Sequence, residues 1–274
     1  MTALCVDCGS FSTRLGVCGE AEPMATIRSV VGVARRRGGP PGYGIEVLRE
    51  RRTFRPETFM KAGFITDFPR AEAFFRHALG LLELPPAPVL FTEPYLNPRA
   101  TREAIATMFL EGFGVPALHL SLPPVLDLFA VDMTNALVVD SGATTTQVIP
   151  IYDGFVVMAG AVKQFIGGND VTDYLVKALS TANGVKLTTA AAREAVETRI
   201  KPECFCAAGI DELAERSNDP QTERSYTLPD GTTVVAASER VLGCELLFRP
   251  DLFIDDDILT LGVDKAVLSS LSKC

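Results

Sequence analysis

No uninterrupted apolar run in this 274-residue chain approaches the ~20 residues that a membrane-spanning helix requires. The N-terminus has no basic leader, and Asp7 interrupts its first apolar run, so no secretory signal is expected and the chain reads as intracellular. Histidine is scarce. His77 lies in a helical pattern and His119 in a strand-like one, neither beside a partnered carboxylate, which leaves no histidine ligand or base to expect. The seven cysteines are an odd number without two CxxC pairs at zinc-ribbon spacing. The lone Cys5-x-x-Cys8 straddles a strand end, where its side chains face different ways, so no zinc or redox role is expected of that pair. Charged residues are only 22% against 47% hydrophobic ones, too few for wholesale disorder. With a net charge of −8, nonspecific nucleic-acid binding is not expected, and the basic runs Arg35–Arg37 and Arg49–Arg52 read as solvated loops.

What the chain does contain is a repeat. Ala3-Leu4-Cys5-Val6-Asp7-Cys8-Gly9 returns 133 residues later as Ala136-Leu137-Val138-Val139-Asp140-Ser141-Gly142. Each copy is an apolar run short enough for a buried strand, ending in a carboxylate and turning at glycine among small hydroxyl residues. Glycine lets the backbone approach closely, successive N–H groups can cradle phosphate oxygens, and an Asp can hold the waters of a nucleotide-bound divalent cation. One copy alone reads as a tight turn. Two copies at half-chain separation read as a phosphate-binding hairpin used twice.

Along the chain, strands and helices alternate as in an α/β protein. Strands are expected at Ala3–Val6, Leu15–Cys18, Val89–Thr92, Ala117–Leu120, Ala136–Val139 and Gln147–Ile151. Helices are expected at Glu72–Leu82, Thr101–Phe109, Asn169–Leu179, Thr189–Glu197 and Ile210–Arg216. Gly38-Gly39-Pro40-Pro41-Gly42 reads as an exposed loop and Leu84-Pro85-Pro86-Ala87-Pro88 as a connector. The domain boundary falls near residue 130.

These residues carry a resemblance to actin and the actin-related proteins. Val138–Leu179 resembles the second phosphate loop and adenosine segment of actins almost without gaps. Thr92-Glu93-Pro94-Tyr95-Leu96-Asn97-Pro98, Arg102-Glu103 and Met108-Phe109 resemble the run TEAPLNP, RE and MF, and Ser225–Gly231, Glu239-Arg240 and Leu247-Phe248 resemble SYELPDG, ER and LF. The match is collinear from residue 3 to residue 274. It implies an actin-like, duplicated ribonuclease H-like two-domain ATPase fold. Residues 1–130 would form the first half, with a small loop-bearing insertion at about 33–60, and residues 131–274 an incomplete second half. ATP or ADP with Mg or Ca would lie in the cleft between them. By position, Asp7, Gly9 and Ser10 match the first phosphate loop, with Arg14 where actins usually have Lys. Asp140, Ser141 and Gly142 match the second loop, and Gly168, Asp170 and Lys201 match positions around ribose and adenine. Asp7 and Asp140 would meet the metal through water.

The departures from the family pattern weaken the implied catalysis. Ala143 stands where actins carry an Asp of the metal region. Phe11 replaces a loop glycine and is less tolerant of positive φ. Pro123 and Gln147 stand in the two water-positioning places, and proline has no polar side-chain group. Pro202 replaces an acidic residue of the adenosine pocket. The resemblance therefore implies impaired hydrolysis and weak or absent nucleotide binding.

Two larger differences concern assembly. A Gly/Pro/Arg loop between Arg37 and Arg55 replaces the loop that actins insert into the next filament subunit. The chain stops at Leu271-Ser272-Lys273-Cys274, which resembles a segment before the family's final Gly-Gly-Thr nucleotide loop, as expected of a truncated gene model or a fragment needing a partner. The apolar stripe Ile254, Ile258, Leu259, Leu261, Val263, Val267, Leu268 and Leu271 then reads as an uncovered helical face that drives association. Asp7-Cys8-Gly9-Ser10-Phe11 and Asp140-Ser141-Gly142-Ala143-Thr144 resemble nuclear actin-related subunits of chromatin-remodelling and histone-acetyltransferase complexes more than conventional actin. The expected partners are other protein subunits, either actin or a multi-subunit complex, with no membrane and no sequence-specific nucleic acid. The expected place is the cytoplasm and cytoskeleton or the nucleus. A nucleotide-stabilised scaffold, a filament-forming ATPase and a nucleotide-free remnant all stay open at this point, with sugar kinases and Hsp70-type chaperones a weaker alternative.

Overall fold

A computed structural model describes residues 3–253 and 260–274. In the first half, β1 (Leu4–Cys8), β2 (Ser12–Val17) and β3 (Ala25–Arg28) form an antiparallel meander. Next in the chain come β4 (Val31–Ala34), β5 (Gly42–Tyr43), α1 (Ile45–Arg49), β6 (Phe54–Glu57), β7 (Met60–Lys61) and β8 (Phe64–Ile65). Strands β5-β4-β6 make a small sheet of their own, and its exposed turn carries Arg35–Arg37. After α2 (Phe68–Gly80) the chain returns through β9 (Val89–Thr92), α3 (Arg99–Thr107) and β10 (Leu118–Ser121). The two returning strands run parallel to β1, giving the sheet order β10-β9-β1-β2-β3.

Helix α2 shows why the sheet is stable. Asp67 caps its first turn by accepting from the Arg70 amide at 2.9 Å, and Pro69 lies at a helix start that needs no donor. Ala71, Phe74, Phe75 and Ala78 recur at helical spacing and are buried against β9, where Phe75 meets Phe91 edge-on at 5.5 Å. Phe59 and Phe109 complete this aromatic core.

The second half repeats the meander. Helix α4 (Pro123–Ala130) leads into β11 (Ala136–Ser141) and β12 (Thr146–Tyr152), and β13 (Phe155–Val156) and β14 (Val162–Gln164) both pair with β12. Helices α5 (Gly168–Asn183), α6 (Ala190–Ala195) and α7 (Ile210–Asn218), the hairpin β15 (Arg224–Thr227) and β16 (Thr233–Ala236), α8 (Glu239–Glu245) and α9 (Val263–Leu271) follow. Leu175, Leu179, Val196, Ile200, Val234 and Leu246 form its core. Among the described residues β11 has β12 on one edge and no strand on the other.

The stripe read through Leu252–Leu271 is not one helix. Pro250–Leu252 form a 3-10 turn, and α9 starts only at Val263, after an extended Gly262. Ile254, Ile258 and Leu259 lie outside the described residues. Helix α9 packs on β12 and β14, with Ala266 and Ser270 buried and Val263 and Val267 half-buried, so only Leu268 and Leu271 stay exposed.

Candidate functional site

The first turn is built around Asp7, at the end of β1. Its Oδ1 accepts from Thr92 Oγ1 at 2.9 Å, and the same hydroxyl accepts the Cys8 amide at 2.9 Å, so the end of β9 fixes the carboxylate. Its Oδ2 faces Arg14 Nη1 across the β1–β2 ladder at 3.2 Å, an exposed ion pair. The Gly9 amide donates to the Ser12 carbonyl at 3.2 Å, and a Cβ on Gly9 would stand 2.7 Å from that oxygen. Only glycine fits there without moving the turn.

The second turn has the same plan. Asp140 pairs across the ladder with Gln147, whose Nε2 donates to Asp140 Oδ2 at 2.8 Å, and the Gly142 amide donates to the Thr145 carbonyl at 2.9 Å. The Ser141 hydroxyl is 2.9 Å from that of Thr146, which donates in turn to the Ile166 carbonyl at 2.8 Å. The amides of Ser10 and Phe11 in the first turn, and of Ala143 and Thr144 in the second, have no acceptor among the described residues. Such successive free N–H groups are the donors that a phosphate nest requires.

The two turns meet. Ser10 Oγ and Thr144 Oγ1 are 3.0 Å apart. Beside them the Arg28 guanidinium lies 3.3 Å from the centroid of the Phe11 ring and 3.3 Å from Glu197 Oε2, so it joins the halves. Phe11 departs here from the expectation of strain. It is not among the residues with positive φ, and its carbonyl accepts the Ser29 amide at 3.0 Å, so the bulky residue sits on ordinary backbone with its ring turned outward.

Gly168, Asp170 and Lys201 come together at the start of α5. The Gly168 and Asn169 amides donate to the carbonyls of Gly142 and Ala143 at 2.9 and 2.7 Å, and Asp170 Oδ2 accepts the Gly167 amide at 2.8 Å. Lys201 Nζ donates to the Gly168 carbonyl at 2.5 Å and to Thr172 Oγ1 at 3.2 Å, and burial pushes its pKa down. The helix start therefore docks on the second turn, and Asp170 acts as its cap. Pro202 lies in the 3-10 turn Lys201–Glu203.

Three participants were not found in the sequence. Asp127 projects from α4, and its carboxyl is raised by burial and by the nearby charges of Asp140 and Asp7, so a third acid faces the pair. A lone carboxylate in the apolar run Pro123-Pro124-Val125-Leu126-Asp127-Leu128-Phe129-Ala130 was the available signal. Lys163 lies opposite Gln147 on β14, donates to the Tyr95 carbonyl at 3.1 Å, and covers the Phe64 ring at 3.9 Å. Thr92, which holds Asp7, carried no local signal.

Chemically the arrangement offers carboxylates and free amides but no neutral-pH base at Pro123 or Gln147, the two places expected to position water. Pro123 is the first residue of α4 and has no polar side chain, while Gln147 is 5% exposed and spends its NH2 on Asp140. Gln147 Oε1 is buried without a partner among the described residues. It can accept a hydrogen bond from water or a ligand, but an amide oxygen does not take a proton at neutral pH. Among the described residues no three Asp, Glu, His or Cys side chains stand close enough to bind a metal directly. Asp7, Asp127 and Asp140 suit a cation held through its waters. The free turn amides, the glycine cradles and the orphaned Gln147 oxygen fit a nucleotide phosphate with such a cation. A cavity of about 1030 Å³ between Leu48–Thr53 and α6 includes none of these turn residues and is a separate feature. No described helix is long and apolar enough to cross a membrane. A family model described as Actin matches residues 1–274.

Proposed function

The chain belongs to the actin family, and we propose that within it this protein is a scaffold or assembly subunit with a degenerate ATP-binding cleft. The family generally binds a nucleotide with a divalent cation and works through contacts with other proteins. Here residues 1–130 and 131–274 act as the two halves, with 33–60 as an insertion. The Gly9–Ser10 and Ser141–Gly142 turns would hold the phosphates of ATP or ADP, and Lys201 and Gly168 would line its nucleoside end. When bound, Mg or Ca would neutralise phosphate charge. Asp7 and Asp140 would orient its waters, Arg14 faces Asp7 across the ladder, and the free turn amides would hold phosphate oxygens.

The observation that carries the absence of turnover is the pairing of Pro123 with Gln147. Neither can accept a proton from attacking water, and Gln147 is tied to Asp140. Phosphate release by the purified chain in Mg-ATP should not rise above that of an Asp140→Ala control. Turnover near that of conventional actin in polymerising buffer would overturn the reading.

A second reading, a nucleotide-free structural remnant, is favoured by one observation. Ser10 and Thr144 already bond each other across the gap between the turns. Equilibrium dialysis with labelled ATP separates the two: binding weakened by Asp7→Ala and by Asp140→Ala supports the scaffold with nucleotide, and no binding supports the remnant. High-speed pelleting tests the filament alternative. The sequences of both turns favour a nuclear, chromatin-complex subunit over a cytoskeletal one, and co-purification with such a complex is the corresponding test.

A further inference from the structure

Arg49, Arg51, Arg52 and Arg199 converge on the cavity of about 1030 Å³ between the small sheet of the first half and α6 of the second. Local structure explains the first wall. The Thr53 and Phe54 amides both donate to the Glu50 carbonyl at 2.9 Å, turning the chain from α1 into β6, and Arg35 Nε pins that turn by donating to the Arg51 carbonyl at 2.9 Å. The opposite wall is made of small residues. Thr189 caps α6 by accepting the Ala192 amide at 3.1 Å, and the exposed Ala191 leaves the gap open. Arg199 follows in the next turn, where its Nη1 donates to the Thr227 carbonyl at 3.1 Å.

All four guanidinium groups are exposed, and none has a carboxylate within ion-pair distance among the described residues. Their neighbours differ. Arg55 on β6 pairs with Glu57, and Arg193 on α6 pairs with Asp173. Against the four arginines the lining holds two carboxylates, Glu50 and Glu194. A surplus of positive charge therefore gathers in one concavity of a chain whose net charge is −8.

We propose that this cavity is a docking site for an extended acidic segment of a partner protein. A guanidinium presents donors in a fixed fork that matches a carboxylate, and arginine clusters recognise acidic motifs in this way. The rest of the lining decides between an acidic peptide and a compact polyphosphate. Leu48, Ala190, Ala195 and Pro229 offer no side-chain donor, so phosphate oxygens set against them would lose hydrogen bonds to water without replacement. A peptide lays its aliphatic stems there, aims its carboxylates at the arginines, and has backbone N–H groups for Glu50 and Glu194. Because the walls come from different halves, such a segment bridges the small sheet and α6. No residue of the phosphate turns lines the cavity, so the proposal does not depend on nucleotide binding.

Fluorescence anisotropy of the full chain with a labelled peptide of alternating glutamate and alanine tests this. The peptide should bind in low salt and be released as salt rises, and its glutamine counterpart should not bind. Arg52→Glu and Arg199→Glu, one from each wall, should each weaken binding by about tenfold or more, because like charges then face each other across the interface. Arg36→Glu, on the exposed turn of the same small sheet, should bind as the parent does. Absence of binding to the unsubstituted chain would overturn the proposal, as would an equal loss with Arg36→Glu, which would show a diffuse basic surface. Displacement of the label by less inorganic tripolyphosphate than unlabelled peptide, at matched ionic strength, would make the occupant a polyphosphate and overturn it too. The salt titration and the glutamine peptide decide on the unsubstituted chain even where a variant fails to fold.

Discussion

The two hairpins share a backbone and differ in where they keep their positive charge. Across the first sheet the row reads Asp7, Arg14, Thr26, and across the second it reads Asp140, Gln147, Lys163. The cation has moved one strand over. In the first half it is an exposed guanidinium touching its Asp. In the second it is an ammonium that turns away to Tyr95 and Phe64, leaving a neutral amide on the Asp. The turn hydrogen bonds survive this exchange because they belong to the main chain, whereas side chains set the electrostatics. The flanks differ as well: β9 shields β1 and orients Asp7 through Thr92, while the second turn is held from outside by the start of α5.

The sharpest way to break the comparison is to make the second row like the first. Gln147→Arg puts a guanidinium where almost no water reaches, so chemical denaturation should show a loss of roughly 3 kcal/mol, against under about 0.5 for Arg14→Gln on the exposed side. Equal effects would mean that the second hairpin is as wet as the first. Next comes the docking of α5. A Cβ on Gly167 would stand 2.6 Å from the Gly142 carbonyl, whereas one on Gly142 would stand 3.5 Å from that of Thr145. Gly167→Ala should therefore cost roughly 2 kcal/mol and Gly142→Ala far less, as read from paired melting curves. A last test concerns Lys163, which burial pushes down to about 8. Because the folded pKa lies below the unfolded one, the folded state carries a charging penalty below pH 8 that disappears as pH rises from 8 toward 10.5. Lys163→Met has no such penalty, so the stability of the parent should gain on that of the variant between pH 8 and 10. A gap independent of pH would show that the ammonium is well solvated.

Much of this was legible because duplication prints itself in the sequence. Asp7 and Asp140, with their glycines, were found by the repeat, and all six expected strands exist, Val89–Thr92 with identical ends. Strands β4 to β8 escaped because pieces of two to four residues leave no alternation to read. Helix α4 escaped because Pro123-Pro124 resembles a breaker, although proline suits a helix's first turn. Phe11 was misjudged because replacement of a glycine was taken to demand a glycine's backbone angles. Thr92 and Lys163 enter the site only through tertiary placement, which no local pattern encodes, and Asp127 left only the trace of a lone carboxylate in an apolar run.

Arg28 gives this arrangement a mechanical consequence. One guanidinium lies over the Phe11 ring and reaches Glu197, so any movement of the first turn against Glu197 must unload this joint. What it gives up in doing so is a partly buried ion pair whose groups water can take over, at little net cost. Such a joint behaves as a detent: it defines a rest angle without locking it, and the force needed to leave that angle falls as salt rises.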